Sequence, residues 1–180
     1  MTPATRAFLA AFVVSVVVDQ ATKLAILATL AESGGELPVI PGLFALTHAE
    51  NPAAAFGMLA SAPGRRWVFL AFALFALAVG LVAVPRLPPS ERLVGASLGL
   101  LIGGAVGNGI DRAWKGSVTD FLKVHVESGG VHDALVARFG TSEWPTFNVA
   151  DTVLWVGIAL FLLRLAQPDG DDDGPDREAA

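Results

Sequence analysis

A four-helix membrane protein with a small extramembrane β element between helices one and two and a long loop between helices three and four is the fold class this sequence predicts. Three observations lead there. Of 180 residues, 53% are hydrophobic and only 16% charged, where a soluble domain carries about 25% charged residues. The mean hydropathy is +0.59. Four stretches are long and apolar enough to cross a bilayer, which needs about 20 residues per helix. A soluble core would leave too little polar side chain to cover its outside, whereas lipid removes that requirement.

The elements follow in order. Ala7 to Val18 is an uncharged run behind Arg6, and the apolar character resumes after Asp19 and Lys23 to about Ala31. This reads as an uncleaved first helix rather than a removable leader. Leu37 to His48 mixes β-branched and aromatic residues with Pro and Gly, the pattern of short strands and turns. Trp67 to Val84 and Leu93 to Ile110 are uncharged runs of 18 residues each. The link from Pro85 to Arg92 is short, and Trp114 to Thr146 is polar with breaks at Gly129-Gly130 and Gly140. The last span runs from about Phe147 to Leu163. Four spans place both termini on one side. Residues 1–166 form one domain in this reading, and 167–180 a disordered acidic tail.

Charge excludes some functions and leaves orientation open. The net charge of −5 resides in the tail, which holds six acids against Arg177, and the rest is balanced at eleven of each sign. No basic stripe is present for nucleic acid. Lys and Arg fall five on one side and six on the other, so only the short link carrying Arg86 and Arg92 favours the cytoplasm for the side of the termini. With no cysteine, disulfides, thiolate metal sites and a thiol nucleophile are excluded. Gly95, Gly99, Gly103 and Gly107 recur every fourth residue on helix three, a seam for close helix packing. GGAVGNG lacks the preceding strand and spacing of a nucleotide loop.

Ionisable residues in or beside a span are expensive and therefore candidates for function. Asp19 and Lys23 stand at i and i+4, acid first, which favours a structural ion pair. Asp111 has Arg112 beside it and Lys115 four residues on, so it too reads as structural. Asp120 and Asp151 differ: Asp151 has no cation nearby in sequence and Asp120 has only Lys123. They flank the loop between helices three and four and so reach the same membrane face. Two such carboxyls sharing one proton can activate water, one as base and one as acid; unrelated acids at loop ends are the alternative that position alone leaves open. His48, His125 and His132 lack HExxH spacing, and no GxSxG elbow occurs. A metal held by the two aspartates stays open on the residues alone. Asn51-Pro52-Ala53 occurs once, against the two inverted copies a water channel requires.

Taken together, DQATK (Asp19 to Lys23), NPAAAFGML (Asn51 to Leu59), GGAVGNGIDR (Gly103 to Arg112), VTDFL (Val118 to Leu122) and FNVADTV (Phe147 to Val153) resemble lipoprotein signal peptidase, the signal peptidase II family. The match extends from Phe8 to Leu163. The resemblance implies an aspartic endopeptidase of the bacterial inner membrane, with both termini cytoplasmic and the site near the outer face. It would remove the signal peptide from prolipoproteins N-terminal to the diacylglyceryl-modified cysteine, as a monomer without cofactor or metal, its partners being the lipidated substrate and membrane lipid. Carried over by motif, Asp120 and Asp151 are the catalytic pair. Asn51, Asn108, Arg112 and Asn148 hold substrate or support the pair, and Asp19, Lys23 and Asp111 support structure. Asn148 stands one turn before Asp151 and is expected to orient it; for Asn108 and Asn148 interhelical hydrogen bonding is the plainer alternative. This chain departs from the family pattern at Ala53, where Gly is usual, at Gly109, where a bulky residue is usual and whose smallness is expected to loosen the end of helix three, and in a longer loop over 123–146. A proton-coupled carrier and a non-catalytic assembly subunit are the rival readings; neither an internal repeat nor a broken helix supports the carrier.

Overall fold

The computed structural model describes residues 1–30, 35–52 and 64–167. Its elements are α1 (Pro3–Thr29), β1 (Leu37–Ile40), β2 (Phe44–Asn51), α2 (Arg65–Ala83), α3 (Arg92–Lys115), β3 (Val118–Val124), α4 (Gly130–Phe139) and α5 (Val149–Ala166). Helices α1, α3 and α5, together with the stretch from Arg66 to Arg86, are each long and apolar enough to cross a membrane. Their outward faces remain apolar: Phe72 and Phe75 on α2 and Trp155 on α5 are each about two-thirds exposed, the expected surface of helices in lipid. The tail expected from 167 onward lies, after Gln167, outside the described residues, as does Ala53.

Local sequence sets the helix ends. The Thr2 hydroxyl accepts from the Thr5 N–H (3.1 Å) and Pro3 opens α1, where its missing donor costs nothing. Pro85 ends α2 in a single tight turn. Helix α3 closes on Gly116 at φ 80°, whose N–H donates to the Arg112 carbonyl, with Arg112 and Lys115 in the last turn complementing the helix dipole. α3 runs five residues past the Ile110 end of its apolar run, because Asp111 and Lys115 are neutralised by partners rather than by leaving the helix.

α3 is the hub, packed against α1, α2 and α5. Its glycines set the distance. A side chain at Gly95 or Gly99 would drive into the α1 backbone at Ala4 or Phe8, and one at Gly103 would lie 2.8 Å from Ser15 Cβ. These contacts advance together along both chains, so α1 and α3 run parallel. Gly104 meets Ala150, and Gly157 meets Ser97, so α5 runs antiparallel to α3. Gly109, expected to loosen this helix, instead lies against Ala73 of α2 (3.0 Å from an added Cβ) within an unbroken helix. The missing side chain lets α2 close on α3.

The sheet departs from expectation. Its order is β1-β2-β3, antiparallel throughout, and its third strand comes from the segment after α3 rather than from the α1–α2 connection. The expected loop is therefore part strand and part helix. Phe147 pairs with Leu122 on the other side of β3, so β3 is held on both edges. Between Leu46 and Ala49, β2 carries one residue more than β3 opposite it: Leu46 faces Leu122, but Ala49 faces Asp120. Such a bulge reverses which face later side chains occupy. Asn51, opposite Val118, thereby shares a face with Asp120, and Glu50 takes the other face with Thr119.

Gly99→Leu is expected to separate α1 from α3 and cost about 1–3 kcal/mol, whereas Gly130→Ala, with no atom within 4 Å, should leave stability unchanged. Thermal unfolding in detergent micelles measures both.

Candidate active site

The site forms where the C-terminal half of α1, the end of α3, the start of α5 and the β2–β3 ladder converge. Lys23 is its fixed point. The ammonium is 2% exposed and lies 2.9 Å from Asp19 Oδ2, 3.2 Å from Asp111 Oδ2 and 3.0 Å from Asn108 Oδ1. The expected Asp19–Lys23 pair is present but has become a triad with Asp111. Each carboxylate spends its remaining capacity on another element. Asp19 Oδ1 accepts from the Ala150 N–H at the start of α5 (2.9 Å), an orphan donor of the helix terminus. Asp111 Oδ2 accepts from the Thr119 N–H of β3 (3.0 Å). Gly107, last of the seam, leaves room for Asp19: a Cβ there would lie 2.6 Å from its Oδ2.

Lysine only donates, so Asn108 must turn its oxygen to Lys23 and its NH2 away. That NH2 donates to Asp151 Oδ1 (2.9 Å). At the head of α5, Asn148 and Asp151 form a capping box: Asn148 Oδ1 accepts from the Asp151 N–H (3.0 Å) and Asp151 Oδ2 from the Asn148 N–H (3.3 Å). The Asn148 NH2 is then directed outward, to Asp120 Oδ1 (2.7 Å) and Asn108 Oδ1 (3.1 Å). Asn51 Nδ2 donates to Asp120 Oδ2 (2.8 Å), by the diagonal cross-strand relation that the bulge creates. Asn148 therefore orients Asp151 through backbone capping, and its amide donors serve Asp120, the other acid. Asp120 and Asp151 are linked through two carboxamides and line one cavity of about 340 Å³.

Electrostatics differ from the sequence picture in one respect. Lys123, the cation nearest Asp120 in sequence, turns away to Glu36 (2.9 Å) and Glu143 (3.4 Å), as residues three apart on a strand must. The charges that act on both acids are those of Lys23 and Arg112. Arg112 also lines the cavity, its guanidinium 4.4 Å from the centre of the Phe69 ring. Burial raises the Asp120 carboxyl to about 6; the charge of Asp151 adds to the rise, and the Asn51 and Asn148 donors oppose it.

Several neighbours were not singled out from the sequence. On the outer face of the ladder, Glu50 accepts from Lys115 (3.1 Å), Ser117 and His48 (3.2 Å). Burial works against its charge, but the bonds from Ser117 and Lys115 hold it below the ordinary carboxylate range. Gln20 reaches Asp19 (3.0 Å) and the Gly107 carbonyl (3.1 Å); its amide beside an acid inside a span was the available clue. Leu154, Trp155 and Ile158 continue the cavity wall from Asp151 along one face of α5, a helical spacing visible in sequence.

The fold and this polar cluster define a multi-pass membrane enzyme. Two solved bacterial membrane enzymes share the architecture: one is 26% identical with a TM-score of 0.70, covering 89% of this chain and 93% of its own. The other, at 24% identity, has a TM-score of 0.70 and covers 96% and 94%. The family model for signal peptidase (SPase) II matches residues 11–167. A lipoprotein signal peptidase of Geobacter metallireducens is 40% identical over 94% of this chain and 96% of its own length. That of Symbiobacterium thermophilum is 41% identical over 85% and 90%. The chain belongs to the signal peptidase II family and is a peptidase.

Lys23→Met should cost about 3–5 kcal/mol by leaving Asp19 and Asp111 uncompensated. Combining it with Asp19→Asn and Asp111→Asn should recover part of that loss in the same unfolding assay; a triple variant less stable than the single one contradicts the triad as drawn.

Proposed function

We propose that this protein is an aspartic endopeptidase that removes the signal peptide from prolipoproteins, cutting N-terminal to the diacylglyceryl-modified cysteine. The observation that carries the reading is the pair Asp120 and Asp151 facing one cavity and linked through the neutral amides of Asn108 and Asn148. Two carboxyls so placed cannot both ionise cheaply, so the pair holds one proton. The ionised member takes a proton from a water between them as its oxygen attacks the scissile carbonyl, and the other donates to the carbonyl oxygen. Collapse of the resulting gem-diol returns that proton to its carboxylate and delivers the first to the departing amide nitrogen, so the dyad ends as it began. Asn51 and Asn148 hold Asp120, and Asn108 and the capping box hold Asp151, without ionising either away. Arg112 supplies donors for a substrate carbonyl or lipid phosphate. The apolar wall of Leu154, Trp155 and Ile158 receives the lipid-modified end.

The enzyme works as a monomer in the bacterial inner membrane, with both termini cytoplasmic and the dyad near the outer face. No metal takes part. Belonging to a peptidase family weighs against the carrier and assembly-subunit readings.

Asp120→Asn and Asp151→Asn should each reduce cleavage of a diacylglyceryl precursor by at least about 10³-fold while the protein stays membrane-inserted, and EDTA should leave the wild-type rate unchanged; full turnover by either variant removes the mechanism. The pH profile tests it independently. Loss of the shared proton above about 6 should lower kcat/KM. The Asn51 amide favours the ionised carboxylate, so Asn51→Ala should move that alkaline limb to higher pH.

A further inference from the structure

We infer that α4 is a membrane-surface anchor whose apolar stripe lies in the lipid headgroup layer beside the cavity. Val131, Leu135 and Phe139 recur every fourth residue and stack on one side of the helix, with Val136 alongside, while Gly130, Ala134 and Ala137 form the opposite side. His132 falls within the stripe and turns its Nδ1 to Asp133 (3.0 Å), an apolar ring with a polar tip as interfaces accept. Among the described residues little covers this stripe: no residue of α4 is buried, Leu135 is half-buried, and Val131 and Phe139 are 64% and 69% exposed. A helix of 10 residues is marginal in water by propensity alone and owes its stability to whatever covers its apolar side.

The bilayer is that cover, by position. α5 has 18 residues, about 27 Å of helix, close to the roughly 30 Å hydrocarbon thickness, so its cap Asn148 sits at the edge of the core. Trp144 precedes that cap by four residues, is 59% exposed and lines the cavity. Its backbone N–H donates to the Val124 carbonyl (2.9 Å), and the Val126 N–H donates to the Ser142 carbonyl (3.0 Å), so the whole excursion springs from the ladder at this level. Gly129 at φ 93° and Gly140 at φ 77° turn the chain into and out of α4. Arg138 stands at the edge of the stripe, 5.9 Å from the Phe139 ring, with reach to a lipid phosphate. This goes beyond peptide cleavage: it assigns a lipid-binding surface to a segment outside the dyad.

The chain has no cysteine, so single nitroxides can be placed cleanly. Full-length Phe139→Cys, Val131→Cys and Ala137→Cys proteins, each labelled in phosphatidylcholine–phosphatidylglycerol vesicles, are compared by collision with oxygen and with a water-soluble nickel chelate. Labels at 139 and 131 should show an oxygen-to-nickel ratio several-fold above that at 137. Equal ratios at the three positions mean that water bathes both sides and overturn the inference. Exclusion of both reagents from 139 and 131 means that protein covers the stripe, and overturns it equally. All three positions are exposed, and retained precursor turnover identifies folded samples.

Discussion

One buried ammonium organises this molecule. Lys23 lies between two carboxylates and a carboxamide in a part of the chain that faces neither water nor mobile counter-ions. Removing charges from water costs several kcal/mol per ion, and only close pairing with every remaining polar atom satisfied offsets it. Here the satisfaction is distributed. Asp19 reaches α5 and Asp111 reaches β3, so the ammonium on α1 is coupled to three further elements through two acids and the α3 backbone that bears Asp111 and Asn108. The glycine seam is the steric half of the same arrangement, because without the close approach of α1 to α3 the triad would not close. Stability and placement of the site are therefore one problem with one solution.

The polarity of that triad propagates without ambiguity. A donor-only lysine orients Asn108, which presents its NH2 to Asp151; the capping box orients Asn148, which presents its NH2 to Asp120. Three asparagines from three elements thus hold two acids. Guanidinium or ammonium groups at those positions would do so more strongly and hold both acids ionised. Neutral amides instead orient a carboxyl in either protonation state, as the proposed proton exchange between the two acids requires.

Much of this was legible in sequence, and the limits have a physical origin. Hydropathy located the spans because the lipid constraint acts on every residue of a helix, and the four-residue glycine period located the seam because it repeats along one face. Asp151 stood out by the absence of a neighbouring cation, and Asp120 by having only Lys123 nearby. What was not legible depends on pairing between distant segments. Asn51 meets Asp120 across 69 residues, and nothing local in VTDFL announces a third strand beside one from the first connection. The bulge that turns Asn51 toward Asp120 is a property of register, invisible before the partner is known. The same limit explains Lys123, whose nearness in sequence was misleading because strand alternation sends it to the opposite face.

The raised Asp120 carboxyl shows what the site costs the fold. In the unfolded chain this group titrates near the ordinary 3.8, and in the native protein near 6. The native state therefore holds a proton that the unfolded chain has already lost between those values. The penalty is absent below the lower value and complete above the upper one, on the order of 3 kcal/mol. An asparagine at 120 would escape this penalty while giving up one of the two oxygens that accept from Asn51 and Asn148, so the ionisable character of the buried group is not explained by stability. It is explained if the proton is used, since a carboxyl that ionised freely would have none to give at neutral pH. The triad has the opposite character: its acids neutralise a buried cation. The chain thus separates acids that hold it together from acids kept short of compensation, and Asn108, bonded to Lys23 on one side and to Asp151 on the other, is the boundary between them.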